Sequence, residues 1–463
     1  MKPRVLIHVD SLRRDGASCI TLAHILRQRE CNVTVSGQQT TAHYLKFWRP
    51  HIMLHTAASK ISAYHKLGLL SPASRPIIHY LPQEGRPTKP ASIRLSYQPL
   101  AATNFKLVDK VYVWNKPHRD WLKINSPLRE SQVQIVGGYR LDLAKYGSPP
   151  NFEKRPPLIG FIGRFTALSP HDGDYGLHLT AKTSSALTHK LPKITAQVRA
   201  CMIYSYLIHK IIEETNLNVS LRPHHNEYPH AHFYVWAKKR FGARIHVDQD
   251  LSFYEWAAKQ RAVITSASST FAELAIARTP LICVDNIDGH EISLEHDGGS
   301  KQLLDSFHGQ KMPTTFNQVL ELLRQADKQF ECEPMDSPTE SLINEQYTWP
   351  YNGSSLLAIA NDITGTLQRL ARHPFSRIPV LPKISGDLAY AIGMWQSYRS
   401  GTIRQRINYV YNDWLHGGNS FYKSLASRIL QDEPALQFLS AYPTLAGVAH
   451  NPSAASCVQH NTP

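Results

Sequence analysis

Apolar residues recur along the first part of the chain in short runs separated by polar segments. Arg4–Asp10, Cys31–Ser36, His51–His55, Pro76–Leu81, Val108–Trp114 and Gln132–Val136 have the composition of strands. Between them, Cys19–Arg29, Tyr44–Trp48, Lys60–Leu69 and His118–Lys123 predict helices. Regular alternation of strand and helix is the pattern of a doubly wound parallel sheet with right-handed crossovers. Ser148-Pro149-Pro150 and the Pro-rich stretch 154–157 then read as a linker. A second α/β pattern opens at Leu158-Ile159-Gly160-Phe161-Ile162-Gly163-Arg164. It continues through a predicted helix over Thr195–Thr215, strands at Asn218–Leu221 and Ala262–Ile264, and helices at Phe271–Arg278 and Phe316–Phe330. A last helix, Ser354–Ala371, is long enough to return to the first domain. The expected boundaries are 1–150, 151–345, a return helix within 346–372 and a helical extension over 373–463. The fold class is α/β, with two Rossmann-like domains.

The chemistry gathers where strands end, because ligands of open α/β sheets bind outside the carboxyl ends of the strands. Asn218–Leu221 delivers Arg222-Pro223-His224-His225, and Ala262–Ile264 delivers Thr265-Ser266-Ala267-Ser268-Ser269-Thr270 at the start of a helix. Free backbone N–H groups at a helix N-terminus favour an anion, so Ser268, Ser269 and Thr270 join Arg222 and His224 as a candidate phosphate site, on strands expected to be neighbours. The plainer alternatives are that Ser268 or Ser269 caps the helix and that His224 is a loop histidine. Gly163 lets the backbone lie close to a ligand, and Arg164 can donate a charge-assisted hydrogen bond. In the first domain the turn Asp10-Ser11-Leu12-Arg13-Arg14-Asp15-Gly16 lacks the GxGxxG spacing of a dinucleotide site, yet it is polar where a crevice would lie. Pro82-Gln83-Glu84-Gly85-Arg86 sets a carboxylate at a strand end beside a glycine, which suits a general base or nucleophile. Asp10, Arg14, Gln83 and Arg86 are the candidate acceptor-side residues. Asp172 and Asp174 lie in the first loop of the second domain, with Asp172 the rival to Glu84. Asp248-x-Asp250 has the letters of a metal dyad but reads as a solvated turn.

Composition narrows the partners. A hydrophobic fraction of 42% and a charged fraction of 19% describe a globular chain, and no apolar run approaches membrane-span length. The start MKPRVLIHVDS is broken by His8 and Asp10, so it reads as a first strand and not a signal peptide, and cytoplasmic residence is expected. Six scattered cysteines without a CxxC pair argue against zinc and against a disulfide framework. A net charge of +15 favours anionic partners, while the dispersal of Lys and Arg speaks against nucleic acid. The basic and aromatic residues after Pro374 suggest peripheral attachment to an anionic inner leaflet, the alternative being a helical subdomain.

VLIHVDSLRRD, VDKVYVW and QVQIVGGYRLDL resemble segments of bacterial surface-carbohydrate biosynthesis proteins. RPHH and TSASSTFAELAIARTPLICVD resemble the His-Pro and Ser-Ser motifs of CMP-sugar-using glycosyltransferases of GT-B fold: sialyltransferases, capsule and O-antigen Kdo transferases, and also CDP-glycerol polymerases. His225 stands where that family has a proline, and Tyr139 replaces the proline of a Gly-Asn-Pro-Arg-x-Asp type segment. The resemblance implies two domains facing across a cleft, the acceptor on the first and the nucleotide on the second. It implies transfer of a Kdo- or sialic-acid-like sugar from a CMP donor to an oligosaccharide or lipid-linked glycan, with no cofactor and no metal. A CDP-glycerol or ribitol phosphotransferase, a nucleotide-sugar 2-epimerase and a non-catalytic subunit of a polysaccharide assembly complex are the competing readings.

Overall fold

The computed structural model describes residues 2–10, 12–70, 75–83, 85, 89–97, 105–146, 155–163, 165, 168, 184–224, 227, 232–248, 253–266, 270–292, 312–328, 337–348, 354–372 and 427. The chain forms two compact units, Met1–Tyr146 with Gln346–Pro463, and Gly147–Glu345.

In the first unit, six parallel strands β1 (Arg4–His8), β2 (Asn32–Ser36), β3 (Ile52–His55), β4 (Ile77–Tyr80), β5 (Lys110–Val113) and β6 (Val133–Ile135) lie in the order β2-β1-β3-β4-β5-β6. Each falls inside the run that the apolar pattern predicts, trimmed at its ends. The trimming has a local cause at β1, where the Asp10 N–H leaves the ladder and donates to the Thr56 hydroxyl (3.1 Å). Leu6, Met53, Ile78, Val111 and Val113 fill the core of this sheet. Helix Ala17–Gln28 is buried continuously from Ala17 to Leu26, although its sequence suggests one apolar face. A helix buried all round needs cover on both sides, and the return helix Ser355–Arg372 packs against it. Helices Pro90–Tyr97 and Leu141–Tyr146 are present without having been anticipated.

The return helix is fastened at two points. Gly137 (φ +84°) makes room for its start and Gly138 for Tyr347 at the end of the preceding helix Ser337–Tyr347: a Cβ on Gly137 would lie 2.9 Å from Ser355 Oγ, and one on Gly138 2.8 Å from the Tyr347 ring. Ser354 Oγ accepts the Leu357 N–H as a helix cap (3.1 Å), while Asp142 Oδ2 accepts from Ser354 Oγ and the Leu356 N–H, both at 2.7 Å. Burial pushes the Asp142 carboxyl up to about 6, against the pull of those donors. Further along, Asp362 pairs with Lys110 and accepts from Tyr112 Oη (2.8 Å). Because the phenol spends its proton on Asp362, His79 Nδ1 must donate to Tyr112 Oη (2.7 Å). Burial pushes His79 down to about 4, so the ring is neutral.

In the second unit, five parallel strands β7 (Leu158–Ile162), β8 (Asn218–Arg222), β9 (Ile245–Val247), β10 (Ala262–Thr265) and β11 (Leu281–Cys283) take the order β11-β10-β7-β8-β9. Ile159, Phe161, Val219, Leu221, Ala262 and Ile264 form its core with Leu207 and Ile211 of the long helix Ser184–Glu214. The expectation that the Arg222 and Ser268 segments lie on neighbouring strands is corrected here. β7 stands between β8 and β10, because the chain winds outward through β8 and β9 and then crosses back to the other side of β7. That reversal is a topological switch point. Helix His232–Phe241 and the short strands β9 and β11 were not anticipated.

Candidate active site

The carboxyl ends of β7 and β8 in the second unit are joined by a side chain that the sequence reading passed over. Glu227 is fully buried, three residues beyond His224. Its Oε1 accepts from the Phe165 N–H after β7, and its Oε2 accepts from the His224 N–H (3.1 Å) after β8 and from Tyr234 Oη. The Glu227 N–H closes the turn on His224 O (2.8 Å). A buried carboxylate with three donors is a fixed point, since each donor freed by its removal is left desolvated. Gly163 is fitted to it: its N–H donates to Arg222 O (2.8 Å), and a Cβ there would stand 2.1 Å from Tyr234 Oη and 2.6 Å from Glu227 Oε2. Backbone passes here because glycine brings no side chain, so the loops carrying Gly163 and His224 are tied to one carboxylate beside the switch point. His224 itself is half-buried.

Arg222 occupies a different position from a free phosphate ligand. Its guanidinium is paired with Asp248 after β9, with side chains 8% and 9% exposed, and its Cζ lies 5.6 Å from the Phe253 ring and 5.7 Å from the Trp256 ring. Asp248 is therefore no solvated turn: burial of an arginine at the end of β8 calls for a carboxylate beside it, and the crossing from β9 supplies one. Trp256 is held in turn by donating Nε1–H to Ser220 Oγ (2.8 Å). At the end of β10, Thr265 and Ser266 are buried, and Thr270 opens the helix Thr270–Ile276. Arg164, Asp172, Asp174, Ser268 and Ser269 lie outside the described residues.

The first unit has its own switch point between β1 and β3. Asp10 is exposed there, accepting on Oδ2 from Gln83 Nε2 (3.3 Å), so the ends of β1 and β4 bring together two of the residues expected on the acceptor side. Arg14 donates to Asp15 Oδ2 (3.1 Å), and Asp15, fully buried, accepts Tyr139 Oη on Oδ1 (3.0 Å). Burial and the neighbouring Asp15 charge both push the Tyr139 phenol up. Glu84 and Arg86 lie outside the described residues, but Gly85 between them is clamped: a Cβ would stand 2.3 Å from the Trp114 ring, and Asn115 Nδ2 donates to Gly85 O (2.9 Å). Trp114 stacks on Tyr347 (5.5 Å), with the Arg140 Cζ 5.1 Å from its ring. None of Asp15, Trp114, Asn115 and Tyr139 was singled out for such a role, and single letters carry no sign of it.

Burial pushes up the thiols of Cys31, to about 11, and of Cys201 and Cys283, both to about 12, which leaves no activated thiolate among them. Among the described residues no group of three or more His, Cys, Asp or Glu side chains is placed to hold a metal ion, and no helix is long and apolar enough to cross a membrane.

Two doubly wound parallel sheets in tandem, followed by a C-terminal helix that packs back on the first, are the element order of the GT-B class. No protein-family model matches the sequence, and no curated protein matches it. Solved structures do match in shape. The wall teichoic acid polymerase TagF aligns at 10% identity with a TM-score of 0.49, over 80% of this chain and 90% of that one. S. aureus MnaA, solved with UDP, aligns at 13% identity with a TM-score of 0.43, over 80% and 97%. The UDP-N-acetylglucosamine 2-epimerase of Rickettsia bellii aligns at 12% identity with a TM-score of 0.43, over 80% and 99%. At such identities and scores, the architecture rests on the strand orders above.

Proposed function

We propose that the chain is an enzyme of bacterial surface-carbohydrate synthesis that cleaves a nucleotide-activated sugar at the strand ends of its second unit. The observation that carries this reading is the Glu227 clamp, which fixes the loops of Gly163 and His224 at the side of a topological switch point where phosphates bind in such sheets. Breaking a sugar–phosphate bond leaves negative charge on the nucleotide. His224, when protonated, would donate to that charge, and the backbone N–H groups at Ser268–Thr270 would add to it. Arg222, held by Asp248, acts by bracing the loop. Glu84, on the segment clamped at Gly85, would take the proton of the acceptor hydroxyl.

The finer reading follows the motif resemblance: the donor is a CMP-linked Kdo- or sialic-acid-like sugar, the acceptor an oligosaccharide or lipid-linked glycan at the cytoplasmic face of the membrane, and no metal is needed. A second reading has its own support. Epimerases and a teichoic acid polymerase are among the solved neighbours, so epimerisation of a UDP-sugar without acceptor and use of a CDP-alcohol stand beside it. One panel decides. CMP, CDP and UDP are titrated against the thermal transition, where a ligand at about 100-fold its Kd adds about 2.7 kcal/mol. Turnover is then followed with CMP-sugar plus glycan, CDP-glycerol, and UDP-N-acetylglucosamine alone. Stabilisation by CMP with acceptor-dependent release of CMP supports transfer, and acceptor-free conversion of the UDP-sugar replaces it with epimerisation. A chain that binds no nucleotide overturns both.

A further inference from the structure

The long helix Ser184–Glu214 buries Ile203, Leu207 and Ile211 against the sheet of the second unit, as a surface helix should. Its opposite side is unusual: Leu191, Val198, Met202 and Tyr206 are exposed, and they fall on one stripe at heptad and i,i+4 spacing. Met202 is 68% exposed. Helix His232–Phe241 lies alongside, the His209 and Phe241 rings meeting at 5.7 Å. It buries Tyr234 and Ala237 and turns Val235 and Trp236 outward, Trp236 being 41% exposed. The helix then ends in Lys238, Lys239 and Arg240, all exposed, and its sequence HFYVWAKKRF holds no acid. On the long helix Glu213 and Glu214 sit at the far end, matched by His209, Lys210 and Arg324.

We infer that this two-helix face is a docking surface for an anionic lipid bilayer. Aliphatic, methionine and tryptophan side chains flanked by lysine and arginine, on helices lying in one layer, are the composition of an interfacial helix whose apolar side enters the headgroup boundary while its cations meet anionic lipid. A second copy of the chain would bring the same three cations to the contact and no acid from this helix. The residues of this surface fall within 184–241, a different part of the sequence from the 373–463 stretch on which the charge pattern had placed attachment. It gives the proposed lipid-linked acceptor its location and rests on that reading only for its purpose.

Flotation of the full chain with vesicles, without nucleotide or acceptor, tests it, so that failure of the enzymatic reading leaves the result standing. The chain is expected to float with phosphatidylcholine–phosphatidylglycerol vesicles and not with phosphatidylcholine alone, and to be released by salt. Replacing both Lys238 and Lys239 by Gln lowers partitioning about 30-fold, and Met202→Glu with Trp236→Glu abolishes it. Lys238, Lys239 and Met202 are exposed, whereas the Trp236 ring also meets Phe233 (6.1 Å) and Phe241 (5.9 Å), so the single variant Met202→Glu, expected to keep the parent's thermal transition and to lose flotation, separates lost docking from lost packing. Absence of flotation by the parent, or equal flotation by parent and both variants, overturns the inference. So does a Met202→Glu/Trp236→Glu chain that changes its mass by light scattering and still floats, which assigns the face to a second copy.

Discussion

Removing the Glu227 carboxylate tests whether one side chain holds the candidate site. In Glu227→Ala the Phe165 and His224 N–H groups and the Tyr234 hydroxyl lose their acceptor in a place closed to solvent. A hydrogen bond to a charged group contributes about 1.5–3 kcal/mol, and a buried donor left unmet costs about 1–3 kcal/mol. The three bonds share one acceptor and their losses do not add, so about 4 kcal/mol is expected, or about 8–16 °C in Tm for a unit of this size. Tyr234→Phe removes one donor and leaves the carboxylate two, so its cost should stay near 1 kcal/mol. Urea unfolding of the two variants measures the contrast. Nucleotide affinity should follow it, falling sharply in Glu227→Ala and little in Tyr234→Phe, because the first frees the His224 backbone. Equal stabilities, or a destabilised Glu227→Ala chain with parental nucleotide affinity, would refute the claim that this clamp organises the site.

Four more outcomes are expected. Gly163→Ala should cost about 1–3 kcal/mol through the collision with Tyr234 Oη, partly relieved by Tyr234→Phe, and unfolding of the single and double variants checks this. His224→Ala should lower turnover about 100- to 1000-fold while its melting curve matches the parent; normal turnover removes His224 from the chemistry. Glu84→Gln should keep nucleotide binding and lose transfer, and near-normal transfer beside a dead Asp172→Asn chain would move the base to the second unit. His79 is held near 4 against an unfolded value of about 6.5, so the unfolded chain takes up a proton first as the pH falls, and stability present above about 6.5 is lost toward 4, by about 3 kcal/mol. Asp142, raised to about 6, acts in the opposite sense. His79→Gln should therefore remove the His79 share alone, and parallel pH–stability curves for parent and variant would exclude it.

The positions of the six strands of the first unit and of β7, β8 and β10 were legible because a parallel strand buried on both faces must be an uninterrupted apolar run, whatever its neighbours are; β9 and β11, three residues each, are too short to show it. Strand order was not: the Arg222 and Ser268 segments read equally well as adjacent or separated, and only the crossover after β9 sets β7 between them. The complete burial of helix Ala17–Gln28 was hidden for a related reason, since its second cover comes from a helix more than three hundred residues later in the chain.

For the site, the sequence by itself determined the ingredients: a histidine after one strand, a glycine after another, a carboxylate in a turn after a third. These are local facts, fixed by the end of an apolar run and the polar letters that follow it. The tertiary structure decided their employment. It drew Arg222 into an ion pair with Asp248, made Glu227 the acceptor for donors from β7, β8 and the helix beyond, and pressed Gly85 against Trp114. Charge and hydrogen-bond pairing depend on which groups are desolvated together, and that is settled only when strands distant in sequence lie side by side.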